Sequence, residues 1–151
     1  MSARALRITL IVLTLLGLAV AGYVTYVHYA GIKPACTAGE SCTKVQTSRY
    51  SELAGVPVAL IGLIGYVAIL ASLLAGDDER LRFLTAALTL GGFGFSVYLT
   101  YREVFSIHAI CEECVGSAVI MTIMMCLSAW RDLRGDAGSP ARAGEAPETA
   151  A

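Results

Sequence analysis

The sequence predicts an all-α integral membrane protein, a bundle of four transmembrane helices. Of its 151 residues, 56% are apolar and 15% are charged, whereas soluble domains average about 45–50% and about 25%. The charged residues are also segregated, which leaves long stretches without any. The formal net charge is −1, whereas nucleic-acid-binding proteins usually carry an excess of basic residues. We therefore exclude that class of protein.

Four apolar segments are long enough to be transmembrane helices, at about residues 8–30, 56–75, 83–101 and 110–131. A hydrocarbon core about 30 Å thick needs roughly 20 helical residues. Pro57 suits the first turn of the second helix, where its missing N–H removes no hydrogen bond. We expect one membrane domain over residues 5–132. The tail over residues 133–151 is rich in Gly, Ala and Pro, and we expect it to be disordered and cytoplasmic.

The first apolar segment has a second interpretation, as a signal peptide. Arg4 and Arg7 precede it, and Ala-Val-Ala at residues 19–21 resembles a cleavage site. The apolar residues continue to Ala30, however, so the apolar segment is longer than the hydrophobic region of a typical signal peptide. We therefore expect a retained transmembrane helix.

The basic residues predict the orientation of the bundle. Seven fall on the side of the N-terminus and four on the other: Arg4, Arg7, Arg80, Arg82, Arg131, Arg134 and Arg142 against Lys33, Lys44, Arg49 and Arg102. Because loops rich in Lys and Arg stay in the cytoplasm, both termini should be cytoplasmic. The loop over residues 31–55 should lie outside, on the oxidising side. Residues 48–55 contain helix formers followed by glycine, which predicts a short surface helix between helices 1 and 2.

Small residues and one cysteine mark the predicted helix packing. Five glycines supply faces for close contact between helices: Gly62, Gly65, Gly91, Gly92 and Gly94. Cys126 stands alone on the last apolar segment, about 18 Å deeper than Cys114. We expect Cys126 to pack in the core.

Two cysteine pairs lie on the predicted outer side, Cys36-x5-Cys42 in the first loop and Cys111-Glu-Glu-Cys114 at the start of the last helix. CxxC spacing allows a reversible disulfide, and a helix N-terminus lowers the pKa of a thiol there. The five residues between Cys36 and Cys42 favour a mobile pair. The pattern indicates a membrane thiol–disulfide oxidoreductase, with static disulfides and a four-cysteine zinc site as alternatives.

The alternative function is a cysteine-based metal-binding or metal-transport membrane protein. Its ligands would be the four thiolates, with His28 or His108. Neither histidine lies at helical or zinc-finger spacing from a cysteine, so we expect no metal site. Glu112 and Glu113 add negative charge, which opposes a nearby thiolate, and we expect both to be solvated at the interface.

The combined spacing of these residues resembles the vitamin K epoxide reductase (VKOR) family. The resemblance is carried by Cys36-x5-Cys42-x5-Ser48, by Gly55-Val-Pro57 at the start of a helix, and by the CxxC that opens the last helix. It covers about residues 5–132 and extends to bacterial members that oxidise secreted-protein thiols with a quinone. An unrelated family of four-helix disulfide-bond oxidases carries its CxxC in the first outer loop, the reverse of the order here.

The VKOR resemblance implies a role for each residue. Cys111 and Cys114 match the active-site pair that faces a quinone, and Cys36 and Cys42 match a loop pair that exchanges electrons with a thioredoxin-like (DsbA-like) protein. Ser48 matches a serine near the quinone, although by its residue type it also suits a helix N-cap. The resemblance further implies a bacterial inner (cell) membrane location, with menaquinone or ubiquinone as acceptor. The short tail leaves no room for a thioredoxin domain, so we expect the partner to act in trans.

Two positions depart from the animal VKOR enzymes. Ala118 stands where they have a tyrosine, and their asparagine near the second helix is absent from residues 58–62. These departures disfavour vitamin K epoxide as the substrate and favour a membrane quinone. Because Cys111 precedes Cys114 on an inward-running helix, we expect Cys111 to meet the loop pair and Cys114 to face the quinone.

Overall fold

Four long helices form the described part of the protein. The computed structural model describes residues 2–33, 35, 41–49, 51–53 and 55–138. In order, these form α1 (Ala3–Ala30), α2 (Ser41–Gln46), β1 (Glu52–Leu53), β2 (Val56–Pro57), α3 (Val58–Ala75), α4 (Glu79–Arg102), a π-helical segment (Glu103–Ile107) and α5 (Glu112–Gly138). Helices α1, α3, α4 with its π-helical extension, and α5 are each long and apolar enough to cross a membrane. The predicted four-helix membrane bundle is confirmed.

Helix α1 begins before the apolar segment and ends at a glycine. The side chain of Ser2 accepts a hydrogen bond from the N–H of Ala5 (3.2 Å) and caps the first turn. At the other end Gly31 has a φ of 64°, a left-handed conformation that glycine adopts without steric cost. The helix packs against α3 and α5, and Leu10 and Ala21 lie in the core.

The short surface helix lies earlier in the loop than residues 48–55, where we predicted it. It is α2, and beyond its end the hydroxyl of Ser48 donates to the carbonyl oxygen of Val45 (2.7 Å). Strands β1 and β2 then pair as an antiparallel hairpin, with Gly55 at its turn in a left-handed conformation (φ 81°). The prediction was wrong because helix-forming residue types do not reveal pairing between two short strands.

Helix α5 continues to Gly138, whereas we expected the helix to end near residue 131 and the tail to be disordered from residue 133. The buried side chain of Arg131 pairs with Asp77 in the connection between α3 and α4. The guanidinium of Arg134 lies over the ring of Trp130, 5.0 Å from its centroid. Both contacts stabilise the last turns of the helix. Residues 139–151 of the predicted tail lie outside the described residues.

The core joins α1, α3 and α5, and several of its polar groups form hydrogen bonds within the bundle. Its largest side chains are Leu10, Tyr66, Ile69, Leu73 and Met124. At the end of the bundle away from the CxxC, the guanidinium of Arg7 donates twice to the carbonyl oxygen of Leu73 (3.0 and 2.7 Å). That carbonyl lies in the last turn of α3, where the helix itself provides no N–H donor for it. The buried hydroxyls of Thr14 and Thr89 donate to carbonyls of their own helices, as an anhydrous interior requires.

Helices α1 and α3 are in tight contact at Gly17, a glycine that the sequence analysis did not select. A Cβ atom added at Gly17 would overlap the ring of Tyr66 on α3. Of the five glycines that we predicted to pack closely, Gly92 lies against Met121. At the other four, an added Cβ would meet nothing within 4 Å. The prediction of close packing is therefore wrong for Gly62, Gly65, Gly91 and Gly94, because glycine content alone does not show which helix face is covered.

Replacing Gly17 tests this contact between α1 and α3. We expect Gly17→Ala to destabilise the protein by about 1–3 kcal/mol, since the added methyl group displaces a fully buried tyrosine ring. Thermal unfolding of the detergent-purified protein measures the effect. Gly94→Ala is the matched control because Gly94 is exposed and open space surrounds its position. Equal melting temperatures for the two variants would contradict the proposed packing.

Candidate functional site

A cavity of about 400 Å³ opens among the four long helices at the end of the bundle that holds the CxxC. Its wall is mostly apolar, with side chains from every long helix: Val24, Ile61, Ile69, Leu88, Phe95, Leu99 and Met121. Its polar side chains include His28, Ser48, Glu103, Glu113 and Cys114. The volume lies in the range of about 300–1,000 Å³ typical of sites for small organic ligands, which are also mainly apolar with few polar groups.

The two cysteines of the CxxC face different surroundings. Cys114 forms part of the cavity wall and is half-buried. Cys111 is completely buried and packs with Val45 of α2, Ala109 and Ile107. One cysteine therefore borders the cavity and the other borders the short helix of the first loop.

A π-helical segment and a buried carboxylate position this dithiol. Glu103 opens the segment, and its Oε2 atom accepts a hydrogen bond from the backbone N–H of Cys111 (3.2 Å). Glu103 and Cys114 both line the cavity. His108 reverses the chain in a left-handed conformation (φ 54°), and the carbonyl of Cys111 then accepts the N–H of Val115 at the start of α5 (2.9 Å). Such π-helical turns are frequent at functional sites.

The surroundings of Cys111 favour its thiolate. The thiol of Cys114 donates a hydrogen bond to the Cys111 sulfur, and this lowers the pKa of Cys111 despite the opposing effect of burial. The backbone N–H of Cys114, in the first turn of α5, contributes in the same direction. The negative charges of Glu103 and Glu113 raise the pKa of Cys111, though less than these hydrogen bonds lower it. In the reduced pair, Cys111 is therefore the cysteine that loses its proton more readily.

Glu113 is not solvated, contrary to our prediction, whereas Glu112 is exposed as expected. Glu113 lines the cavity, and its Oε2 atom is buried without a hydrogen-bond partner among the described residues. Burying an unpaired carboxyl oxygen is costly. A carboxyl group donates a hydrogen bond when protonated and accepts one when ionised. The Glu113 carboxyl group can therefore hydrogen bond both states of a quinone, which carries carbonyl oxygens when it is oxidised and hydroxyl groups when it is reduced.

Ser48 lines the cavity. Its hydroxyl donates to the carbonyl of Val45, so Ser48 follows α2 and is not a helix N-cap. The N-cap interpretation is wrong because the helix lies before this serine, not after it. To donate to a ligand, the Ser48 hydroxyl must exchange its hydrogen bond with Val45 for one across the cavity.

The loop cysteines are described only in part. Cys36 lies outside the described residues, and Cys42 belongs to α2. Helix α2 contacts the π-helical segment, and Val45, one helical turn after Cys42, packs against Cys111. The backbone of Cys42 thus lies on a helix that touches the buried side of the CxxC.

Three side chains of the site were missed by the sequence analysis. Tyr66 lines the cavity from the middle of α3, and its hydroxyl lies 2.9 Å from the Ser117 hydroxyl. Glu103 lines it from the end of α4. The sequence does show a tyrosine in the middle of the second apolar segment and an acidic residue just after the third. Polar groups inside membrane segments are by default candidates for function. Ser117 gave no such signal.

Cys126 is exposed on α5 rather than packed in the core. The prediction was wrong because an apolar helix in a membrane bundle has a lipid-facing side that its composition does not distinguish from the core side. Among the described residues, no group of three or more His, Cys, Asp or Glu side chains lies together as metal ligands would.

Membrane-spanning helices around an apolar cavity, with a CxxC dithiol at the cavity wall, define the chain as a multi-pass membrane thiol–disulfide oxidoreductase. The model of the vitamin K epoxide reductase family matches residues 8–129, most of the chain. The protein belongs to this family. Enzymes of the family couple thiol–disulfide exchange to a quinone, and membership does not favour the metal-binding alternative.

Proposed function

We propose that the protein oxidises the thiols of a thioredoxin-like partner outside the cytoplasm and delivers their electrons to a membrane quinone. The observation that carries this proposal is the separation of the two CxxC sulfurs. Cys114 borders the apolar cavity, while Cys111 packs against the helix that contains Cys42. A dithiol with two such sides can exchange with a loop cysteine on one side and with a hydrophobic acceptor on the other.

The first half of the reaction is thiol–disulfide exchange. The reduced partner transfers its electrons to the disulfide between Cys36 and Cys42, leaving both as thiols. One of these attacks the sulfur of Cys111 as a thiolate, which breaks the Cys111–Cys114 bond and releases Cys114. The second loop cysteine then attacks the mixed disulfide, so that the loop pair is oxidised again and both CxxC cysteines are reduced. The contact between Val45 and Cys111 supports this order of attack.

The second half of the reaction takes place at the cavity. A quinone, when bound, supplies an acceptor for two electrons and two protons. The apolar wall would exclude water and hold its ring, and Glu113 and Ser48 would hydrogen bond its oxygens. Cys114 gives up the electrons on this side, and Cys111 completes the disulfide. Preorganised donors near an oxygen that gains negative charge accelerate such a reaction.

The acceptor that we propose is menaquinone or ubiquinone. Ala118, the position of the tyrosine in the animal enzymes, lines a separate shallow groove between α4 and α5. Among the residues of 58–62, only apolar side chains and glycine face the main cavity. Neither position supplies the polar group found in the animal enzymes, which supports a quinone rather than vitamin K epoxide as the substrate.

We further propose that the protein lies in a bacterial inner (cell) membrane with both termini in the cytoplasm. The CxxC and α2 lie at one end of the bundle, while Arg7 and Arg131 lie at the other, each held by a contact with α3 or the turn after it. This separation agrees with the arginine bias, which assigns the second end to the cytoplasm. The cysteine pairs and the partner are then outside.

Quinone reduction by the purified protein tests the proposed function. We expect the full chain, reconstituted in liposomes with a reduced DsbA-like protein, to reduce a ubiquinone or menaquinone analogue. Glu113→Ala should raise the KM for the quinone, because it removes the unpaired carboxyl from the cavity wall. Ser48→Ala should lower the rate by less than the 10²–10³-fold loss seen in other oxyanion sites, roughly tenfold, because its site is partly open.

Glu112→Gln is the control for these variants, since Glu112 is exposed on the same turn of α5. No turnover of either quinone by the wild-type protein would contradict the oxidase function. Wild-type KM in Glu113→Ala would remove Glu113 from the quinone site without affecting the thiol chemistry.

Thiol labelling in oriented vesicles tests the proposed orientation. After reduction, a membrane-impermeant maleimide should label the loop pair only from the outer side, because both cysteines belong to the loop between α1 and α3. The buried thiol of Cys111 should react only after the protein is unfolded. Cys126 should resist labelling from both sides, because it is exposed towards lipid in the middle of α5. Labelling of the loop pair only in inverted vesicles would reverse the orientation and exclude an external thiol partner.

A further inference from the structure

Glu103 is a buried acidic residue at the end of a membrane-spanning helix, with only 4% of its surface exposed. Placing a carboxyl group there is costly unless it is paired or protonated. Its carboxylate accepts a hydrogen bond from the backbone N–H of Cys111 at 3.2 Å. Glu103 is therefore next to the dithiol and lines the same cavity as Cys114.

We propose that Glu103 is a catalytic residue, the general base that takes the proton from Cys114 as the Cys111–Cys114 disulfide closes. This inference rests on the proposed function and adds the proton route to it. The thiol of Cys114 has one proton and two neighbouring acceptors, the sulfur of Cys111 and the carboxylate of Glu103. The Cys111 sulfur cannot keep that proton, because it must form the S–S bond. Of these two acceptors, only the Glu103 carboxylate can therefore take the proton from Cys114.

The proton and electron balance of the step is simple. Two S–H bonds break and one S–S bond forms, which releases two electrons and two protons. The quinone is reduced by both electrons, and its two oxygens finally hold both protons. The proton of Cys114 passes to the Glu103 carboxylate first and leaves it for the cavity. The proton of Cys111 is lost separately, since that cysteine already favours its thiolate. Glu103 is then a carboxylate again and ready for the next cycle.

Other titratable or charged groups surround Glu103 and contribute to any pH profile. They are Cys111, Cys114 and Glu113 from the start of α5, Arg102 and His108 from its own connection, His28 of α1 across the cavity, and the exposed Lys44 of α2. A pH profile of the wild-type protein alone therefore does not isolate Glu103. The comparison with a variant that keeps the shape of the side chain does.

Glu103→Gln is that variant, because a glutamine oxygen still accepts the N–H of Cys111 but takes no proton. In single-turnover oxidation of the reduced full chain by a short-chain ubiquinone analogue, we expect the rate near neutral pH to fall about 10²–10⁴-fold, the usual contribution of a general base. The defect should shrink by about tenfold per pH unit as solvent removes the proton of Cys114 instead. Glu112→Gln should match the wild-type protein at every pH.

Two further measurements make each outcome decisive. Reduction of the Cys111–Cys114 disulfide by the loop pair should not slow in Glu103→Gln, because exchange expels a thiolate and needs no proton donor. Loss of both half-reactions, or wild-type rates at all pH values, would overturn the role of Glu103. Oxidation by diamide, a thiol oxidant that needs no quinone site, should show the same pH-dependent defect. Wild-type protein that reacts with diamide but not with the quinone would contradict the proposed function, and the diamide comparison would still decide the role of Glu103.

Discussion

The backbone N–H of Cys111 donates to the buried carboxylate of Glu103, and this hydrogen bond joins the end of α4 to the start of α5. A buried backbone donor needs such a partner, because leaving it unpaired costs as much as a lost hydrogen bond. The bond holds the CxxC at the turn where α5 begins, with Cys111 against Val45 and Cys114 on the cavity wall. The access of a loop cysteine and of a membrane ligand to one dithiol depends on this placement.

The membrane environment explains why the unpaired atom at Glu113 is informative. Elsewhere in the described core, hydroxyls bond to carbonyls of their own helices, and Arg7 satisfies the end of α3. Two buried side-chain atoms among the described residues lack a partner, Glu113 Oε2 and Ser128 Oγ. Ser128 does not line the cavity, whereas Glu113 does. A ligand that hydrogen bonds Glu113 would recover the free energy lost by its burial.

The sequence predicts the four long helices well because a bilayer demands long apolar segments, and it predicts the CxxC at a helix start from spacing alone. Helix ends and burial depend on tertiary contacts that no local pattern contains. The ion pair between Arg131 and Asp77, which is distant in sequence, stabilises α5 near the residue where we expected the helix to end. Glu113 was expected in solvent because two adjacent glutamates look alike in a sequence, yet only one of them turns towards the cavity.

The central claim is that Cys111 meets the loop and Cys114 meets the acceptor, and a trapped mixed disulfide tests it most directly. In Cys114→Ser, Cys111 cannot form the CxxC disulfide, so its thiolate attacks the loop disulfide, links to one loop cysteine and releases the other as a thiol. Alkylation of the released thiol prevents its return attack and keeps the link. Peptide mass spectrometry of the full chain under non-reducing conditions identifies the bond. The account predicts a link from Cys42 or Cys36 to Cys111 in that variant. A link formed only in Cys111→Ser, between the loop and Cys114, would contradict it.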